Sequence, residues 1–242
     1  MMETDAARLK EADSAVFIQC VGSRDERRPY CSRVCCTHSV QSAIELKTLN
    51  PQMNVYVLYR DMRTYGVRES LYARARQLGV VFIRFDADRK PRVSVNDGGI
   101  TVCLNEPVLQ MPVEIAADYL ILAAAIEPAD DSGLVDIFKY SVNADGFVNE
   151  AHPKLRPVDM SVDGLFVAGL CNYPKPIDEA VAQAKAAASR AGVVLSKASM
   201  QLDPIKSFVT EACDGCALCL DVCPYKAIRL LEETADGALV MG

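Results

Sequence analysis

The sequence predicts an α/β chain built on a parallel sheet and followed by a small, cysteine-dense domain. Three observations predict it. Short apolar runs alternate with helix-like stretches through the first part of the 242 residues, the pattern of parallel strands joined by covering helices. Half of the residues are hydrophobic and 24% are charged, enough for a sizeable core and against wholesale disorder. Eight of the ten cysteines fall into two groups, one near each end.

Taken in order, residues 1–13 read as a charged lead-in. Ser14 to Cys20 (SAVFIQC) is a buried strand, and a polar loop with Gly22 and Pro29 follows. From Cys31 to about Leu49 the residues Val34, Val40, Ala43, Ile44 and Leu46 recur at helical spacing until Asn50-Pro51 stops them. Asn54 to Tyr59 is a second strand, Glu69 to Leu78 a helix ended by Gly79, and Val80 to Phe85 a third strand. Pro91 to Leu104 alternates around Asn96-Asp97-Gly98-Gly99, which suggests a hairpin. Tyr119 to Ile126 reads as a buried strand, Asp145-Gly146 as a turn and Leu165 to Gly169 (LFVAG) as a short apolar strand. An Ala-rich helix covers Ile177 to about Lys197. The expected organisation is thus a main region over 14–197, a linker over 198–207 and a cysteine-dense segment over 208–242.

Lys and Arg number 26 against 32 Asp and Glu, a net charge of −6. That balance argues against a nucleic-acid binder, whose affinity rests on neutralising phosphates. Arg60, Arg63, Arg68, Arg74 and Arg76 form one basic stripe, expected to face solvent or a partner. The longest apolar run, YLILAAAI, is bounded by Asp118 and Glu127 and falls far short of the roughly 20 residues of a membrane span. The acidic start is not a signal peptide, so the chain reads as cytoplasmic. In a reducing compartment clustered cysteines point to metal or redox chemistry rather than disulfides.

Cys213, Cys216, Cys219 and Cys223-Pro224 spell C-x2-C-x2-C-x3-C-P, the bacterial ferredoxin run that wraps a 4Fe–4S cluster. Ala227 and Ile228 are set to pack on it. A zinc site is the competing reading, but zinc knuckles pair two C-x2-C arms further apart. In two-cluster ferredoxins the fourth cysteine of the run serves the other cluster, and no second quartet follows here. The expectation is that Cys223 folds back, that the chain lacks the rest of its ferredoxin domain, or that a partner completes the site.

Cys20, Cys31, Cys35 and Cys36 form C-x10-C-x3-C-C. Cys20 falls at the carboxyl end of a strand, and the other three in the first turns of the next helix. That crevice is where doubly wound sheets bind ligands, and a helix N-terminus favours thiolates. On spacing alone, a metal or cluster site and ordinary buried cysteines both stay open.

The segment VFIQCVGSRDERRPYCSRVCCTHSVQSAIELK, with VYVLYRDMRTYG, resembles the A-type subunits of heterodisulfide reductase. So does HPKLRPVDMSVDGLFVAGLCNYPKPIDEAVAQAKAAA. The resemblance runs from about Ser14 to the C-terminus. It implies a thioredoxin-reductase-like flavoprotein region carrying 4Fe–4S clusters, with Cys20, Cys31, Cys35 and Cys36 as ligands of a cluster beside the flavin.

DYLILAAAIEP and GLFVAGLCN also resemble the closing segments of flavoprotein disulfide reductases. By that likeness Gly169, Leu170, Cys171, Ile177, Asp178 and Gln183 line an FAD site, the helix dipole stabilising reduced flavin. On the residues alone the same helix also reads as an ordinary Ala-rich core helix. Two departures stand out. Leu170 occupies a position where that group has an acidic residue, and Gln41 one where the heterodisulfide reductase family often has Lys; Lys175 is another candidate near the ring. The thirteen glycines include no G-x-G, the motif that brings a pyrophosphate to a helix N-terminus. FAD is therefore expected in an assembly, with a separate polypeptide supplying the N-terminal FAD-binding half, rather than on this chain alone.

His38 and His152 are expected to be structural or exposed, Cys103 a packed apolar residue, and Cys171 undecided. No residue reads as a nucleophile for disulfide chemistry. The leading expectation is an electron-transfer subunit of a heterodisulfide-reductase-like oxidoreductase complex, docking other subunits through its acidic surface. The alternative is a non-catalytic iron–sulfur scaffold without flavin chemistry.

Overall fold

A computed structural model describes residues 2–96, 98–129, 132–199, 207–223, 227–233 and 239–241. The chain divides into two units: Met1–Pro128 with Pro174–Ala180, and Ala129–Tyr173 with Val181–Gly242.

In the first unit, β1 (Ser14–Val21), β2 (Asn54–Tyr59), β3 (Val81–Arg84) and β7 (Tyr119–Ala124) form a parallel sheet in the order β3-β2-β1-β7. The helices α1 (Met2–Glu11), α2 (Cys35–Leu49) and α3 (Glu69–Gln77) belong to this unit. An antiparallel sheet of β4 (Arg92–Asn96), β5 (Gly99–Glu106) and β6 (Met111–Ala117) completes it.

β1 is central because alternate residues bury on two different layers. Ala15 and Phe17 pack with Val40, Ala43 and Ile44 of α2, and with Val55, Val57 and Ala75. Val16 and Ile18 pack with Val102, Leu104, Ile115 and Ala117 of the antiparallel sheet. Both faces of β1 are dry, which explains a continuous apolar run rather than an alternating one.

Several expectations are corrected. The lead-in is helical over Met2–Glu11. The helix expected from Cys31 begins at Cys35, because Arg33 takes a positive φ of 59° that no helix accommodates. β7 is not fully buried, with Leu122 52% exposed, since it is an edge strand of the sheet. The hairpin is extended by β6, whose mixed apolar and polar residues gave no clear period. α3 does stop at Gly79, whose φ of +83° only glycine adopts freely.

The second unit has little regular structure before the helix α5 (Ile177–Leu195), whose first turn counts with the first unit. LFVAG forms one isolated bridge, Asp159 to Phe166, rather than a strand. Val148, Met160 and Val167 make a small core with Tyr140 and Leu165. α5 has no buried residue, so it is not a core helix here. The helices α4 (Ser132–Phe138) and α6 (Leu218–Val222) and an antiparallel pair of β8 (Leu231–Glu233) and β9 (Leu239–Met241) also belong to this unit. Most of the linker expected over 198–207 lies outside the described residues.

Candidate iron–sulfur centre

The order β3-β2-β1-β7 places a topological switch between β1 and β7, and the cysteines gather at its carboxyl end. Cys20 ends β1 in a left-handed conformation, φ 60°, where the β1–β7 register also shifts. Gly22 (φ +71°), Arg24 (φ 58°) and Arg33 (φ 59°) repeat that conformation in the loop that follows. A Cβ on Gly22 would meet nothing closer than 3.7 Å, so backbone angle rather than crowding demands glycine there. Each non-glycine instance costs about 1–2 kcal/mol, and such strain gathers at functional sites.

The loop is pinned by charge and hydrogen bonds. Arg24 Nη2 donates to Asp61 Oδ2 at 2.6 Å, and Arg28 pairs with Glu127. Arg33 reaches the Pro174 carbonyl at 3.3 Å, Glu179 Oε1 at 2.8 Å and the Tyr65 hydroxyl at 2.7 Å. Arg33 and Arg68 both lie over the Tyr65 ring, and Arg68 pairs with Asp178. Arg68 of the basic stripe is therefore engaged rather than solvated. On the β7 side, Ser32 Oγ accepts the Ile126 N–H at 2.9 Å and Tyr30 donates to the Ile126 carbonyl at 2.9 Å.

These anchors bring the four predicted cysteines together. Burial pushes the Cys35 thiol up to about 11, and Cys36, Cys31 and Cys20 push in the same direction. Burial raises Cys36 as well, with Cys20 and Cys31 adding to it and a hydrogen bond from the Arg63 backbone opposing. The Arg33 N–H donates to Cys31 Sγ at 3.3 Å, and Cys36 reaches the Asp61 carbonyl at 3.7 Å. Among the described residues, no three His, Cys, Asp or Glu side chains converge tightly enough to hold a single metal ion. A cubane takes its thiolates at four separate irons, so it needs them around a volume rather than a point.

Two further groups fit a bound cluster. Among the described residues, the buried side-chain polar atoms without a partner are both amide atoms of Gln19 and Nη1 of Arg24. They flank Cys20 in the sequence. A buried amide left unpaired costs about 1–3 kcal/mol; of these atoms the Gln19 amide N–H and Arg24 Nη1–H are donors that suit sulfur acceptors, and Arg24 already lies beside the Cys20 sulfur. Sequence reasoning missed both. The available signal was a lone Gln within VFIQC, the one polar side chain in the buried run Ala15–Gln19 of β1.

The C-terminal cysteines are less enclosed. Cys213, Cys216 and Cys219 are exposed and Cys223 half-buried. Asp214 Oδ1 accepts the Cys216 N–H at 3.1 Å, which holds its carboxyl below the usual range. Ala217 is left-handed at φ 63° and opens α6, which carries Cys219. The Ala227 N–H donates to Cys223 Sγ at 3.4 Å. Ile228 is 37% exposed, and Pro224 lies outside the described residues.

The residues expected at a flavin divide between the units. Gly169, Leu170 and Cys171 form a short 3-10 turn in the second. Gln183 accepts the Gly169 N–H at 2.9 Å and donates to Asn172 Oδ1 at 2.9 Å and Glu150 Oε1 at 3.3 Å. Ile177 and Asp178 belong to the first unit, Ile177 being 79% exposed. Lys175 is buried at 7%, whereas Gln41 is exposed and donates to Glu45 at 3.3 Å. His38 is exposed, and His152 Nδ1 accepts the Lys154 and Leu155 N–H groups in a turn. Cys103 is half-buried in β5, and Cys171 is exposed.

The 4Fe-4S binding domain family matches residues 207–229. The chain is 40% identical over 240 residues to an A-type iron-sulfur subunit of the CoB–CoM heterodisulfide reductase of Methanopyrus kandleri, covering 96% of this chain and 36% of that one. It is 38% identical over 245 residues to the A-type subunit of the H(2):CoB-CoM heterodisulfide,ferredoxin reductase of Methanothermobacter marburgensis, covering 96% and 37%. Among solved structures, the thioredoxin reductase of T. acidophilum matches with a TM-score of 0.55 at 16% identity, over 81% of this chain and 56% of that one. That of Lactococcus lactis matches at 0.51 and 18%, over 81% and 57%. At such identities the likeness is one of fold. Among the described residues no helix is long and apolar enough to cross a membrane.

Proposed function

This chain is homologous to the A-type subunits of heterodisulfide reductase over 96% of its own length and 36% of the relative's, and from that premise we propose that it is an iron–sulfur electron-transfer part of a heterodisulfide-reductase-like complex. The observation that carries the reading is the gathering of Cys20, Cys31, Cys35 and Cys36 at the sheet's switch point, in a chain that also has a 4Fe-4S binding domain. Those four thiols hold one cluster, and Cys213, Cys216, Cys219 and Cys223 supply the ferredoxin-type site. A bound 4Fe–4S cluster supplies one-electron storage.

The residues around the first site do the preparatory work. Arg24, Arg28 and Arg33 hold the loop, Ser32 and Tyr30 tie it to the end of β7, and α2 presents Cys35 and Cys36 from its first turn. Burial keeps their thiols protonated until metal loading, which releases the protons. FAD belongs to the larger assembly, with Gly169, Leu170, Cys171, Gln183, Ile177 and Asp178 as its contacts on the resemblance alone. The partners are other subunits of such a complex, and a polypeptide that supplies the N-terminal FAD-binding half.

A flavin-free scaffold is the second reading. Gln183 already spends its amide on Gly169, Asn172 and Glu150, and Gln41 spends its own on Glu45.

Iron and acid-labile sulfide content of the chain purified without oxygen tests the proposal. About eight irons per chain are expected for two cubanes. Cys216→Ser should remove the ferredoxin-type signal from the EPR spectrum and leave the other. Loss of both signals would show that the sites are not independent, and colourless protein holding zinc would overturn the reading.

A further inference from the structure

The cysteines account for the ligands of the first site but not for the two groups beside it. Gln19 is 2% exposed, and neither its amide nitrogen nor its amide oxygen has a partner. Nothing in an apolar strand interior requires a glutamine, and the same position would be cheaper as an aliphatic residue.

Its direction follows from the strand. Gln19 shares the face of Ala15 and Phe17, the face that packs on α2. Phe17 sits in one core cluster with Val40. One step further along β1 on that face is Gln19, and one turn back along α2 from Val40 is Cys36, itself buried. Strand and helix run in opposite senses, as a right-handed crossover between parallel strands requires. Gln19 therefore faces the turn of α2 that carries Cys36. From the loop after Cys20, Arg24 brings a second unsatisfied donor, Nη1, while its Nη2 is held by Asp61.

We propose that the Gln19 amide N–H and Arg24 Nη1–H are hydrogen-bond donors to the sulfurs of a cluster held by Cys20, Cys31, Cys35 and Cys36, and that they raise its reduction potential. The inference rests on the cluster reading given above. The physics is electrostatic: adding one electron increases the negative charge on the sulfurs. Donors aimed at them, and a guanidinium nearby, stabilise the reduced form more than the oxidised one. The low dielectric around a side chain as buried as Gln19 strengthens the effect. Gln19 is neither a ligand nor an anchor of the loop, so removing its amide should leave iron bound.

Gln19→Met tests it, because methionine approximates the volume and has no N–H donor. Full-length chains with and without the substitution are prepared without oxygen. Their clusters are titrated with dithionite and followed by EPR, and the first-site signal is identified as the one that survives Cys216→Ser. The expected result is unchanged iron content with a more negative midpoint potential, and a shift of the same sign in Arg24→Gln. An unchanged potential with the cluster intact would overturn the proposal. So would loss of that iron in both Gln19→Met and Gln19→Leu, which would make the residue necessary for retention rather than tuning. Failure of the unsubstituted chain to show the signal would instead sink the cluster reading itself. Thermal melting of the iron-free proteins gives an independent check. Gln19→Met should melt at the same or a higher temperature, because it replaces an unpaired buried amide. A lower melting temperature would mean that the amide has a partner within the polypeptide, against the proposal.

Discussion

A thiol beneath the first turn of a helix, surrounded by three others, behaves differently from one on the surface. Cys35 rises from the ordinary 9.0 to about 11, chiefly through burial and then through Cys36, Cys31 and Cys20. In the iron-free chain at pH 8 it should hold about 100-fold less thiolate than a thiol at the ordinary value. Alkylation followed by peptide mass spectrometry should therefore label Cys35 far more slowly than the exposed Cys213 and Cys216. Equal rates would show that the thiol is not enclosed. The sign for stability follows from the same shift. A neutral buried thiol favours the folded state below pH 9, and that contribution is lost as pH rises towards 11. The cysteines were legible because their spacing carries chemistry by itself. Gln19 and Arg24 were not, because their meaning depends on having no partner, which only the folded arrangement reveals.

At the level of elements, periodicity identified β1, β2, α3 and β3 within about a residue, because each sets apolar residues against a core and has a clear stop. It placed the start of α2 four residues early, since Cys31, Val34 and Cys35 continue the apolar pattern while Arg33 breaks the backbone. Beside Gly22, the left-handed residues of that loop are Cys20, Arg24 and Arg33, residue types that do not announce such a backbone. It also missed β6, which pairs with Ile100–Glu106 of β5 and buries Ile115 and Ala117. β1 is the element on which the site depends, and Phe17 is its largest buried side chain towards α2, 2% exposed. Phe17→Ala should cost about 3–5 kcal/mol in denaturant unfolding of the iron-free chain. A loss below about 1 kcal/mol would mean that β1 and α2 are not packed as described.

For the whole molecule, the decisive relation is one of extent: the chain spans 36% of the relative it matches at 40% identity. A dinucleotide is held chiefly by its pyrophosphate, whose charge needs clustered backbone N–H groups at a helix N-terminus reached through a glycine-rich turn. No G-x-G supplies that turn in these 242 residues. Of the contacts proposed for a flavin, those at the start of α5 lie beside two carboxylates, Asp178 and Glu179, in its first turn. Arg68 and Arg33 pair with them, so the negative charge that would repel a reduced flavin is largely compensated. Such a surface can orient a ring, but it lacks the phosphate contacts that dominate affinity. The isolated chain should therefore purify without flavin. Mixing it with a polypeptide that carries the pyrophosphate loop should retain flavin in the joint gel-filtration peak, read by visible absorption. Stoichiometric flavin on the isolated chain would show that ring contacts suffice, and absence of flavin from the mixture would favour the scaffold reading.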